Sequence, residues 1–136
     1  MTKVAGLAQT QLEGLRSELD SLRGQNKGVI AALLATTDGF EMADSGDWRG
    51  CSPSSVAAMT SSMLSLAIAM VRETGLSSCQ NLIIETDEGK ILVMSVPSTR
   101  FQMLLTVMTL KDIAFGQLLL EARITVRQLS NLLDSV

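Results

Sequence analysis

From Gly50 through Val71 the chain carries no charged side chain, and between Pro53 and Gly75 it has no internal glycine or proline. A stretch of that length with neither charge nor breaker predicts one long helix covered over much of its circumference. At about 100° per residue, Val56, Met59, Met63, Leu66 and Met70 fall on one line with alternating three- and four-residue steps. Thr60, Leu64, Ala67, Ile68 and Val71 widen that line to roughly half the cylinder. Ser54, Ser55, Ala58, Ser61, Ser62, Ser65, Ala69, Arg72 and Glu73 take the other side. Ser52 or Pro53 starts the helix and Gly75 stops it. A helix docked on a small domain needs an apolar stripe of only about 100°. The extra width predicts two neighbours, its own sheet and a second subunit, with methionine suited to an adaptable contact. A central helix buried on both flanks is the plainer alternative.

The segments on either side supply the sheet. Residues 1–6 read as a flexible N-terminus, and 7–136 as a single domain. From Leu7 to Leu22, Ala8, Leu12, Leu15, Leu19 and Leu22 lie within an arc of about 80°, a helix docked on one side and ended by Gly24. Lys27 to Thr37 is an apolar strand, Asp38-Gly39 a hairpin turn, and Phe40 to Asp44 a more polar second strand. Ser45 to Ser52 forms a loop holding the only tryptophan, Trp48, which serves either as a lid over the domain's own core or as a contact residue.

After the central helix come three strands in a meander. Gln80 to Thr86 is the first, Lys90 to Val96 the second and Phe101 to Thr109 the third, separated by Asp87-Glu88-Gly89 and Pro97-Ser98-Thr99. Ile91 to Val96 and Met103 to Met108 are apolar at nearly every position, so helices must cover both faces. Lys111 to Leu133 is a last helix whose core stripe is Phe115, Leu118, Leu119, Ala122, Val126, Leu129 and Leu133. Ile113, Leu120 and Ile124 form a minor line opposite. The expected fold is α+β, ordered α-β-β-α-β-β-β-α, with a five-stranded antiparallel sheet between helices. Gln80 to Thr86, with its apolar centre Leu82-Ile83-Ile84, is the candidate edge for joining two subunits.

Composition excludes most chemistry. A chain of 136 residues with 11 basic and 14 acidic side chains has room for a core and no basic footprint for nucleic acid. Serine and threonine dilute the uncharged stretch, so no membrane insertion is expected. Two cysteines without a signal-peptide pattern point to a reduced, cytoplasmic protein. There is no histidine, which removes the usual general base, the serine triad, the Cys-His dyad and Cys-His zinc sites. Carboxylates sit on turns and helix surfaces, and no GxxxxGK[ST] or GxGxxG string occurs. Neither a catalytic set, a metal site nor a cofactor is expected. What remains is a protein-interaction module.

The arrangement resembles the Roadblock/LC7 family. The resemblance rests on GVIAALLATTDGFEMADSG for the first hairpin, SVAAMTSSMLSLAIAMV for the long helix, NLIIETDEGKILVMSV for the second hairpin, and the final strand and helix. It covers about residues 7 to 133. It implies a homodimer, or a pair with a related Roadblock-type protein, in which the long helices pack together and the strands after them pair across the two-fold. Val56, Met59, Met63, Leu66, Met70, Leu82 and Ile84 are the interface residues so implied. It also implies a non-enzymatic regulator or adaptor of a small Ras-like GTPase, with Ser54, Ser61, Ser65, Arg72 and the Asp47-Trp48-Arg49 loop as candidates for the partner-facing surface. The alternative is a structural scaffold subunit of a larger assembly that meets no GTPase.

Overall fold

The computed structural model describes residues 7–135; residues 1–6 and Val136, and with them the expected flexible N-terminus, lie outside the described residues. The elements run α1 (Gln9–Gln25), β1 (Val29–Thr36), β2 (Glu41–Gly46), α2 (Pro53–Glu73), β3 (Asn81–Glu85), β4 (Gly89–Val96), β5 (Met103–Leu110) and α3 (Phe115–Asp134). All strand pairs are antiparallel, in the order β2-β1-β5-β4-β3. The fold class and element order are those expected from the sequence.

Alternation along the strands decides which helix each residue meets. Ala32 and Leu34 of β1, Leu92, Met94 and Val96 of β4, and Met103, Leu105 and Val107 of β5 face α1 and α3. There they bury Leu15, Leu19 and Leu22 of α1 and Leu118, Ala122, Leu129 and Leu133 of α3. Ala31, Leu33 and Ala35 point the other way, to Trp48, Val56 and Ala57, while Val93 and Leu104 meet Leu64 of α2. Two helices therefore cover one face and α2 alone covers the other.

Most element ends differ from the expectation by one or two residues, and three of the differences have a clear physical reason. Gly24 does not end α1, which runs on to Gln25. The stop is Asn26, in extended backbone, whose side-chain amide donates to the Leu22 carbonyl at 2.8 Å. Helix α3 starts at Phe115 rather than Lys111. Its predecessor is a turn in which Ile113 N–H meets the Leu110 carbonyl and the Ile113 side chain packs on the core, so the apolar pattern continues without a helix. Strand β2 reaches Gly46. A Cβ there would collide with the Ile30 carbonyl oxygen, and φ is +98°, so only glycine fits. Helix α2 begins as expected, with Ser52 as N-cap accepting from the Ser55 amide at 3.1 Å and Pro53 in the first turn.

Candidate protein-interaction face

Helix α2 spends its two halves differently. Val56, Ala57, Thr60, Ser61 and Leu64, all in its first twelve residues, are buried. Beyond Leu64 no residue of α2 is buried; Leu66 is 71% exposed and Met70 65%. Met59, on the first half, is 52% exposed. Helical spacing places Met59, Met63, Leu66 and Met70 on one flank, about a quarter-turn to a half-turn from the line that meets the sheet. By length and composition alone α2 is long and apolar enough to cross a membrane, a property that the core helix of a globular domain shares. The packing of its first half on β1 gives that apolar character a use within the fold.

The sheet beneath is only partly covered. Leu82 and Ile84 of β3 and Ile91 of β4 share the α2 face with Met108 of β5, through the pairs Leu82–Val93, Ile84–Ile91 and Ile91–Met108. All four are half-buried, leaving a strip of aliphatic and sulfur surface that is covered only in part, Met108 beside the Val56 and Ala57 cluster and Leu82 and Ile91 beside the Leu64 cluster. Strand β3 is a sheet edge, with Ile83 on its opposite face 42% exposed. The other edge, β2, is tied to α1: Arg23 Nε donates to Ser45 Oγ at 2.7 Å, and Ser45 Oγ donates to Asp20. The two edges are thus unequal in access.

Other sequence candidates scatter. Val56 is 8% exposed and lies against β1, so its side chain serves this domain's own core. Ser61 is 9% exposed, and its hydroxyl donates to the Thr37 carbonyl at 2.5 Å. Trp48, 7% exposed, is a lid over Ala31, Leu33 and Ala35. Val56 and Ser61 are turned inward because the first half of α2 is the half that packs on the sheet, and Trp48 reaches the same face from the loop before it. Arg49, Ser54, Ser65 and Arg72 are exposed. Arg72 stands in the last turn of α2, where a cation meets the negative end of the helix dipole. Arg49 is backed by Asp47, whose carboxylate accepts the Arg49 amide at 2.8 Å.

Sequence reasoning missed Leu76, 67% exposed just past the helix, and Phe40, 54% exposed beside the first hairpin turn. A large apolar residue next to a glycine in a polar loop was the available signal for both. It also missed a cleft of about 210 Å³ between Leu64, Ser65 and Ile68 of α2 and the β4–β5 end of the sheet at Pro97 and Gln102. Among the described residues no group of three or more Cys, Asp or Glu could hold a metal ion. Cys51 is an exposed and Cys79 a half-buried free thiol. Among the described residues, the one carboxyl held clearly below its ordinary value is Asp134, through the Ser98 hydroxyl and the Thr99 amide.

A model of the Roadblock/LC7 domain matches residues 15–109, well over half of the chain. The chain belongs to the Roadblock/LC7 family. The matched span takes in α2, β3 and the half-covered strip, so the face described above lies inside the Roadblock/LC7 domain, whereas α3 follows it. Solved structures agree on the fold. The gliding protein MglB of Thermus thermophilus superposes with a TM-score of 0.83 at 14% identity, over 100% of both chains. An MglB with a tetrameric arrangement gives 0.83 at 14% identity, over 99% of this chain and 98% of that one. A Roadblock/LC7 domain from Streptomyces avermitilis gives 0.74 at 18% identity, over 82% and 91%. Comparison with curated proteins gives no match.

Proposed function

We propose that this Roadblock/LC7 protein is a non-enzymatic, dimeric, cytoplasmic regulator or adaptor whose partner is a small Ras-like GTPase. The observation that carries the reading is the exposed apolar flank of α2, Met59, Leu66 and Met70, on the same side of the sheet as the half-covered strip Leu82, Ile84, Ile91 and Met108. Contiguous apolar surface beside an open strand edge is a protein-binding feature. Met63 lies on the same flank, and a second copy, or a related Roadblock-type chain, is the occupant that offers a matching helix and edge. The tetrameric arrangement of the related MglB supports self-association in this fold.

The GTPase belongs on the other exposed side of α2, where Ser54, Ser65, Ala69 and Arg72 offer small side chains and one cation, with Arg49 on the loop before the helix. Val56, Ser61 and Trp48 support that surface from beneath. Regulation then proceeds by holding or reshaping switch loops, with no residue of this chain taking part in bond making.

Affinity isolation from the native cell tests the reading, run in parallel with GDP and with a non-hydrolysable GTP analogue. A small GTPase retained in one nucleotide state is the expected result. Retention in both states reduces the role to a scaffold for the GTPase. Recovery of large partners alone, with no GTPase in either arm, overturns the proposal in favour of a structural assembly subunit.

A further inference from the structure

Trp48 is the only tryptophan in the chain, and its ring packs among Ala31, Leu33, Ala35, Val56 and Ala57. Its indole N–H nevertheless has no hydrogen-bond partner among the described residues. A buried indole ordinarily finds one, and a buried donor without an acceptor has given up its hydration for nothing. The main chain beside it carries a second penalty. The Cys51 amide donates to the Trp48 carbonyl at 3.1 Å, closing a turn whose central residues, Arg49 and Gly50, have φ of 56° and 85°. Positive φ at both centres is the type I′ pattern, which favours Asn-Gly. Arginine in the first centre sits in the left-handed region without a short side chain to ease it. Gly46, with φ of 98°, lies just before the segment, so glycines flank residues 47–49.

We infer that Asp47–Arg49 is a hinged plug, and that Trp48 leaves its socket over β1 in a minor form of the folded protein. Opening gives the indole N–H access to an acceptor and frees Arg49 from the left-handed region. Burial of the ring, the Asp47 amide on the Ile30 carbonyl at 3.0 Å, and the Arg49 amide on Asp47 oppose it. The open form uncovers Leu33 and Ala35, both fully buried when the plug is shut. They lie on the same sheet face as Met108 and Ile91, so the plug sets how much apolar floor that face presents. Its opening does not depend on the proposed partner.

The single tryptophan makes the plug directly readable. Acrylamide quenching of its fluorescence in the whole protein is measured well below the unfolding temperature, with far-ultraviolet circular dichroism showing that each variant is folded. Arg49→Asn creates the favoured Asn-Gly pair and holds the plug shut; Arg49→Val places a β-branched residue in the left-handed region and releases it. The expected order of quenching is valine variant, wild type, asparagine variant, with open populations about tenfold apart between the extremes. Equal quenching in the two variants, or the reverse order, overturns the plug. If the valine variant does not fold, the comparison of wild type with Arg49→Asn decides alone, and identical quenching there overturns it.

Discussion

The Ser61 hydroxyl reaches from α2 to the main-chain carbonyl of Thr37 at the end of β1, fastening the helix to the first hairpin. Where that bond is made, α2 is close enough that a Cβ on Gly39 would stand 3.4 Å from the Ala58 Cα. Four residues later the helix has nothing buried. The bond therefore lies near the end of the stretch over which α2 packs on its own sheet.

Removing that hydroxyl takes a donor from the Thr37 carbonyl in a part-buried place. Ser61→Ala is expected to lower stability by about 1 to 2 kcal/mol, seen as a fall in Tm. Ser65→Ala, one turn on and exposed, should leave Tm within experimental error.

Leu66 offers a sharper test of the interface than any core residue, because at 71% exposure it contributes little to the fold of one chain. Leu66→Asp should leave the far-ultraviolet spectrum unchanged and reduce the mass by light scattering from dimer to monomer. A dimer buried against that flank does not tolerate an unpaired carboxylate. Arg72→Ala should leave the mass as it is. A Leu66→Asp protein that keeps the mass of the wild type would remove α2 from the interface.

Asp134, at the end of α3, holds the β4–β5 turn: one carboxylate oxygen accepts from Ser98 Oγ at 2.7 Å and from the Thr99 amide at 2.9 Å. These bonds place its folded pKa below the ordinary 3.8. A depressed carboxylate contributes stability that is complete above the ordinary value and disappears as pH falls through the lower folded value. Urea unfolding of wild type and Asp134→Ala should therefore differ at pH 6 and converge on acidification below about pH 3.8. A constant difference across that range would show that the carboxylate's ionisation is irrelevant to the turn.

Gly24 and Gly46 should respond oppositely to alanine. Gly24 lies inside α1 with nothing within 4 Å of an added Cβ, so Gly24→Ala should raise stability by about 0.5 to 1 kcal/mol. Gly46→Ala meets the Ile30 carbonyl and a positive φ and should destabilise by more than about 2 kcal/mol. Chemical denaturation of the pair checks both.

Gly24 also shows where sequence reading reached its limit. Glycine is a common helix stop, yet the cap was taken by Asn26, whose side chain finds the Leu22 carbonyl; propensity names several stops and tertiary packing picks one. The strands were legible because alternation and turn signals coincide at Asp38-Gly39 and again at Glu88-Gly89. The two-sidedness of the sheet followed from unbroken apolar runs in β4 and β5. What periodicity did not divide was the wide apolar surface of α2. Val56 and Met59 are a single turn apart and equally apolar, but one lies over β1 and the other faces out. Separating them requires knowing where the sheet ends beneath the helix, which is a long-range fact. Ser61 illustrates the converse: a polar residue reads as surface until its hydroxyl is seen to have a carbonyl to meet.

The unequal edges of the sheet govern how large an assembly can grow. Strand β2 carries Glu41 and Asp44 and is laced to α1 through Ser45, which discourages another strand from adding there. Strand β3 has Leu82-Ile83-Ile84 at its centre and is free. Two copies joined β3 to β3 use up the open edge of each, and the sheet stops at ten strands. Joining β3 of one copy to β2 of the next would leave an open edge after every addition and polymerise without limit. In a dimer joined in the proposed way, the charge and the helix contact on β2 would stop the assembly at two copies instead of letting it grow into a fibre.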